Sequence, residues 1–201
     1  MCGFCGVSFF SNEKLNKAKI LGEKLNLKLA HRGPDDEGNC ISQLGSNNLF
    51  FHRRLSILEI SKKGSQPMLS NDNNLILCFN GEIYNHLELR KKLEEIYKIS
   101  WKGNSDTETL IESFCYFGIE KTINLVEGMY AFALFDKKNE KLYLGRDLFG
   151  EKPLYYNNAN NSIIFSSEVH NVDENLFSIN QKAIYQFLHY NYIPNSNCIY
   201  N

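Results

Sequence analysis

Residues Gly3 to Phe10 (GFCGVSFF) are apolar almost throughout and rich in aromatics, and the run starts two positions after Met1. Such a run reads as a buried strand, so the chain commits its first residues to the interior of a sheet. Beyond it, Leu15, Ala18, Leu21, Leu25 and Leu29 recur at steps of three and four, the spacing of an amphipathic helix, with Ser11 or Asn12 as its cap. His31-Arg32-Gly33-Pro34 ends that helix, because glycine and proline together cannot continue it. Strand-like runs follow at Asn39 to Gln43, Asn48 to Leu58 and Asn74 to Phe79. The last is expected to stop at Asn80-Gly81, a dipeptide suited to a tight turn with positive φ. Helices are expected at His86 to Ile96 and at Asp106 to Phe117, where an acidic residue at the start suits the helix dipole. Met129 to Asp136 and Lys141 to Gly145 read as a hairpin, Leu154 to Tyr156 and Ser162 to Ser166 as another around Asn157 to Asn161, and Gln181 to His189 as a last helix. Strands in hairpins with a few amphipathic helices, and no internal repeat, indicate an α+β domain with antiparallel sheets.

Composition excludes several classes of function. Lysine and arginine number 22 against 23 aspartates and glutamates, a net charge of −1, so no basic surplus drives phosphate-backbone binding and nucleic acid is not an expected partner. The longest apolar stretch, Met129 to Phe135, is far below the ~20 residues that span a bilayer. No basic segment followed by a long apolar core marks a signal peptide, so no membrane partner is expected and the expected location is the cytoplasm. Six cysteines (Cys2, Cys5, Cys40, Cys78, Cys115 and Cys198) are then expected as reduced thiols.

Cys2 stands where removal of Met1 would leave its thiol and a free α-amine on one residue. An α-amine with a pKa of roughly 7.7–8.0 can take the proton of a thiol attacking a carbonyl, so nucleophile and base would come from a single residue. The Cys2-x-x-Cys5 spacing also admits a redox dithiol or half a zinc site. A dithiol of that kind is expected at a helix N-terminus, whereas this pair precedes a strand, and no second pair of ligands exists to complete a metal site. Residues three apart on a strand point to opposite faces, which makes Cys5 a small buried hydrophobe.

Seven segments occur in one order: MCGFCGV, HRGPDDEG (His31 to Gly38), RLSI (Arg54 to Ile57), FNGEIYN (Phe79 to Asn85), SDTETL (Ser105 to Leu110), GMYAFALFD (Gly128 to Asp136) and GRDLFGEKPLYY (Gly145 to Tyr156). The set resembles the N-terminal glutaminase domain of glutamine-hydrolysing asparagine synthetases, a class II glutamine amidotransferase, from Met1 to about Glu168 and more weakly through QFLHYNYIP. The resemblance implies an Ntn-hydrolase fold, an αββα sandwich of two antiparallel sheets with helices outside. It assigns residues 1–178 to the glutaminase domain and 179–201 to the start of a connection to a synthetase domain absent from this sequence.

The same resemblance implies L-glutamine as substrate, with glutamate and ammonia as products. Cys2 matches the nucleophile, and Asn80 and Gly81 match the oxyanion hole, through the Asn80 side-chain amide and the Gly81 N–H. Arg54 matches the arginine that binds the α-carboxylate, Asp106 the carboxylate that holds the α-ammonium with help from Glu82, and Leu55, Ser56, Ile57 and Leu58 the pocket lining. A one-residue slip would exchange Arg54 for Arg53, and the RLSI register favours Arg54. Arg32 is expected to support the chain terminus or the pocket wall, or to serve as a charge at the helix C-terminus, Arg146 and Asp147 to pair, and His31, His52 and His86 to be structural. No SGGLDS-type phosphate loop occurs, so no metal and no cofactor is expected in this chain, ATP and magnesium belonging to the synthetase domain. That domain or a separate synthetase subunit is the implied partner, with room for a homodimer. Two other readings stay open: the glutaminase half of an amidotransferase acting on a sugar or another carboxylate, and a catalytically silent module that binds glutamine or a partner.

Overall fold

The computed structural model describes residues 1–9, 15–44, 46–159, 161–172, 178–194 and 199–200. Strand β1 (Gly3–Phe9) is buried along its whole length. It is followed by α1 (Leu15–Lys28), β2 (Asp36–Leu44), β3 (Ser46–Arg54), β4 (Met68–Leu69) and β5 (Leu75–Ile83). Helices α2 (His86–Ile96), α3 (Asp106–Phe117) and α4 (Ile119–Leu125) precede β6 (Gly128–Asp136), β7 (Lys141–Arg146), β8 (Tyr155–Ala159), β9 (Ser162–Ser166) and α5 (Gln181–Tyr190). The proposed caps Ser11 and Asn12, the strand end Phe10 and Cys198 lie outside the described residues. Among the described residues no helix is long and apolar enough to cross a membrane.

The strands form two antiparallel sheets, ordered β2-β3-β1-β9-β8 and β4-β5-β6-β7. Alternation along each strand sorts side chains into three apolar layers. Cys5, Val7, Phe9, Leu49 and Phe51 pack outward against Ala18, Leu25 and Leu29 of α1 and its C-terminal turn. Phe4, Phe50 and Phe165 of the first sheet meet Ile76, Cys78, Ala131, Ala133 and Phe135 of the second, forming the core between the sheets. Leu77, Phe79, Ile83, Phe132 and Leu134 face the other way, onto Leu89, Leu110, Ile111 and Phe114 of α2 and α3. The result is a four-layer αββα sandwich, as the family resemblance implies.

Several boundaries depart from the sequence expectations for physical reasons. Asn80-Gly81 is not a turn, because β5 runs on through it to Ile83 in register with β6. Gly81 lies opposite Tyr130, and a Cβ there would come within 2.3 Å of Met129 O and 2.7 Å of Tyr130 Cα. Glycine is therefore needed for the approach of two strands, not for a positive φ. Gly81→Ala is expected to overpack this pair and cost ~1–3 kcal/mol of stability, read as a lower midpoint in urea unfolding. An unchanged midpoint would refute the close approach.

Strand β3 ends at Arg54 rather than Leu58, because the next N–H groups leave the ladder. Leu55 N–H donates to the Cys2 sulfur at 3.4 Å and Ser56 N–H to Asp35 Oδ2 at 2.7 Å. Strand β2 begins earlier than expected, with Asp36 opposite Arg54. Strand β8 is Tyr155–Ala159, paired Ala159 to Ser162, so its connection to β9 is shorter than Asn157 to Asn161. Helix α4 has no counterpart in the sequence reading. Gly118, at φ 81°, closes α3 and starts the chain on a new axis, a break that local periodicity does not carry.

Candidate active site

The register of the two sheets leaves a cavity of about 100 Å³ at one end of the sandwich, where β1 begins, β3 ends and β5 outruns β4. Cys2, Arg54, Leu55, Ile57, Leu58, Asn80, Gly81, Glu82 and Asp106 all line it. Ser56 does not line it; its N–H donates to Asp35 Oδ2 at 2.7 Å. The structure thus brings together all but one of the expected site residues, over a span from position 2 to 106.

Cys2 is half-buried. Its thiol donates to Leu55 O at 3.5 Å and accepts from Leu55 N, while Arg32 Nε donates to the Cys2 carbonyl at 3.0 Å. Arg32 also packs on Gly3, where a Cβ would meet Arg32 Cδ at 2.9 Å, so it supports the chain terminus as expected. Burial pushes the Cys2 thiol above its ordinary pKa, the Leu55 N–H, the Met1 ammonium and Arg54 pull it down, and Asp106 pushes it up. A thiol so placed needs a base to become a nucleophile. Cys5 is fully buried in the α1 layer with its sulfur 4.0 Å from Gly22 O, so it does not share the cavity with Cys2.

Asn80 is 2% exposed, and its side-chain nitrogen has no hydrogen-bond partner among the described residues. The orientation of Gly81 follows from its neighbours. Tyr130, its partner in β6, donates its N–H to Asp147 Oδ2 at 3.2 Å and accepts from Asp147 N at 2.8 Å, so both its backbone groups face away from β5. Gly81 and Tyr130 are thus a non-hydrogen-bonded pair, and the Gly81 N–H points to the other edge of β5. Phe79 N and Ile83 N point to the same edge, where they donate to Gln66 Oε1 at 2.7 Å and to Asp106 Oδ2 at 3.0 Å. Between them, the Gly81 N–H opens on the cavity.

Asp106 is the first residue of α3, and Ser105 rather than Asp106 caps that helix, accepting from Glu108 N at 3.1 Å. The Asp106 carboxylate also accepts from Thr107 N at 2.9 Å, and burial nevertheless holds its pKa above the usual carboxylate range. The loop before it is fixed by Glu108, which accepts from Lys102 N at 2.6 Å and Gly103 N at 2.9 Å. Arg90 donates to Gly103 O at 2.6 Å and lies 4.0 Å from the Trp101 ring centre. The Ser105-x-x-Glu108 spacing was the available signal for this helix start.

Arg54 faces the cavity and Arg53 the opposite layer, where it donates to Asn26 O and pairs with Glu37 at 2.6 Å. The Arg54 fork is not held open, however. Its two terminal nitrogens donate to the carbonyls of Ser61 and Glu59, which folds the 59–64 segment over the cavity wall. Asp147 does not pair with Arg146. It accepts instead from the backbone of Tyr130, Glu151 and Lys152, and although burial opposes its charge, these donors hold its pKa below the usual range. Met1, Gln66, Phe79, Met129 and Lys152 also line it, with Glu59, Gly64, Ser105 and Thr107; sequence reading did not assign them to the pocket, because no local spacing marks them as neighbours of Cys2. Among the described residues, no group of three His, Cys, Asp or Glu is placed to hold a metal ion.

The αββα sandwich of two antiparallel sheets defines an Ntn-type fold, and it places a thiol at the start of the first strand on the same cavity as a buried amide nitrogen and a strand-edge N–H. The solved structure of glutamine phosphoribosylpyrophosphate amidotransferase from B. subtilis superposes with a TM-score of 0.68 at 19% identity, covering 85% of this chain and 42% of that one. A family profile described as a glutamine amidotransferase domain matches residues 1–201. The chain belongs to the glutamine amidotransferase domain family. Its relatives include asparagine synthetase [glutamine-hydrolyzing] 1 of Bacillus subtilis, 35% identical over 96% of this chain and 30% of that protein. A putative asparagine synthetase [glutamine-hydrolyzing] 2 of Methanocaldococcus jannaschii is 34% identical over 100% of this chain and 41% of its own length. The chain thus spans about a third of the length of these relatives.

Proposed function

We propose that this domain hydrolyses the side-chain amide of L-glutamine to glutamate and ammonia, with Cys2 as nucleophile once Met1 is removed. The observation that carries the reading is the convergence on one cavity of the Cys2 thiol, the unpartnered Asn80 amide nitrogen and the Gly81 N–H. The freed α-amine of Cys2 takes the thiol proton, and the thiolate attacks the amide carbon of glutamine. Asn80 and Gly81 donate to the resulting oxyanion. Collapse of the tetrahedral adduct breaks the C–N bond, the α-ammonium returns its proton to the leaving nitrogen, and ammonia departs from a γ-glutamyl thioester. Water, deprotonated by the same amine, hydrolyses the thioester and regenerates the thiol.

Asp106, with Glu82 beside it, supplies the negative charge that suits the substrate's α-ammonium, and Arg54 the positive charge that suits its α-carboxylate. Met1 itself lines the cavity, so its removal both frees the base and widens the space for substrate. The names of the longer relatives support a role as the ammonia-donating half of an asparagine synthetase-like amidotransferase, with ATP and magnesium needed only by the synthetase half. The mechanism needs a reduced thiol, and all five described cysteines are free, which suits action in the cytoplasm.

Intact mass before and after exposure to an electrophilic glutamine analogue tests the reading. A starting mass short by one methionine and a single adduct on Cys2, blocked by excess glutamine, is the expected result. A chain that has lost Met1 and still takes no adduct would overturn it.

A further inference from the structure

Strand β5 is covered on one side by β6 over its whole length, but on the other side β4 pairs only with Ile76 and Leu77. From Cys78 to Ile83 no strand among the described residues lies beside its second edge, and an open edge is a row of backbone groups seeking partners or water. Two side chains from separate parts of the fold fill that place at Phe79. Gln66, 6% exposed, accepts from Phe79 N at 2.7 Å, and His52, fully buried, meets Phe79 O at 3.0 Å through Nε2. A carbonyl only accepts, so this nitrogen carries the proton and His52 is the donor. Burial holds the imidazole neutral, its pKa lowered to about 4. His52 comes from β3 in the other sheet, so its bond is a tie across the sandwich beside the cavity. Four residues on, Asp106 takes Ile83 N in the same way.

We propose that His52 and Gln66 are positioning residues for the oxyanion hole: together they replace the missing strand at Phe79 and hold the β5 edge so that the Gly81 N–H is aimed at the reacting carbonyl. With Phe79 and Ile83 engaged on either side, Gly81 is left as the donor that substrate meets on this edge. The clamp also fixes the neighbouring Asn80, whose side chain enters the cavity from the inter-sheet face while the Gly81 N–H enters along the sheet edge. Releasing Phe79 lets the edge shift by a fraction of an ångström or admit water, and misplacement of a catalytic group by about 1 Å can cost on the order of a hundredfold.

This inference rests on the glutaminase reading, and the test separates the two. Glutamine hydrolysis is measured for the parent, Gln66→Met, His52→Phe and His52→Gln, together with alkylation of Cys2 by iodoacetamide, read by peptide mass. Alkylation needs the thiol but no oxyanion. Gln66→Met removes the acceptor at nearly constant volume, and His52→Gln keeps an N–H donor at similar reach. Gln66→Met and His52→Phe are expected to lower kcat by about 10- to 100-fold, with KM for glutamine changed less than about threefold and the alkylation rate unchanged. His52→Gln is expected to retain most of the parent kcat. Where His52→Phe does not fold, Gln66→Met and His52→Gln carry the comparison. Parental kcat in Gln66→Met, or a loss in His52→Gln as large as in Gln66→Met, would overturn the clamp. A parent that does not hydrolyse glutamine would instead overturn the function proposed above.

Discussion

Replacing Cys2 by alanine is expected to abolish glutamine hydrolysis while leaving the fold intact. The proposed mechanism has no second nucleophile: the other described thiols lie outside the cavity, and Cys5 is buried under α1. Without the thiolate no thioester forms, and the oxyanion donors alone would have to assist direct attack by water, so a loss of at least about 10,000-fold is expected. Stability should barely change. The Cys2 sulfur makes two long contacts, both with the backbone of Leu55 at 3.5 and 3.4 Å, and the local chain is held independently by Arg32 through the Cys2 carbonyl. The checks are glutamate release under saturating glutamine and the urea midpoint. Hydrolysis within tenfold of the parent would remove Cys2 from the mechanism.

Asn80→Ala is expected to be the second largest effect, and its signature is a divergence between activity and stability. Loss of one oxyanion donor typically lowers kcat by about 100- to 1,000-fold, or roughly 3–4 kcal/mol of transition-state stabilisation. KM for glutamine should move little, because the charge that Asn80 meets develops only after attack. In the folded protein its side-chain nitrogen is buried with no hydrogen-bond partner among the described residues, an arrangement that costs stability. Removing the amide should therefore leave the urea midpoint unchanged or raised, a result foreign to a residue kept for packing. A kcat within threefold of the parent, or a stability loss that tracks the loss of activity, would overturn the assignment.

These two residues were legible in the sequence for different reasons. Cys2 was marked by its place before a strand, and that strand was readable because β1 is apolar at all positions but Ser8 and buried on both faces. Asn80 and Gly81 were readable only inside the FNGEIYN segment; taken alone, the dipeptide predicts a turn that the fold does not make. The proper reason for the glycine is the backbone of Met129 and Tyr130, some fifty positions later, pressed against it. Arg54 shows the same limit. The register told it apart from Arg53, but no pattern showed that its fork would hold the carbonyls of Glu59 and Ser61.

Taken as a string, this sequence determined its elements wherever burial repeats at a local period: the apolar first strand, the spacing of apolar residues in α1, α2 and α3, and the hairpin between β6 and β7. It also determined the set of chemical groups, because residue types in order carry that information without coordinates. The tertiary structure alone decided where strands stop and which donors stay unspent. β3 ends because a thiol and a carboxylate from distant segments take its next N–H groups. Gly81 faces the cavity because Asp147 occupies Tyr130 and because Gln66, His52 and Asp106 occupy the backbone on either side of it. Hydrogen-bond satisfaction is settled over the whole molecule, by groups tens of residues apart, and a local pattern holds no record of which partner arrives first.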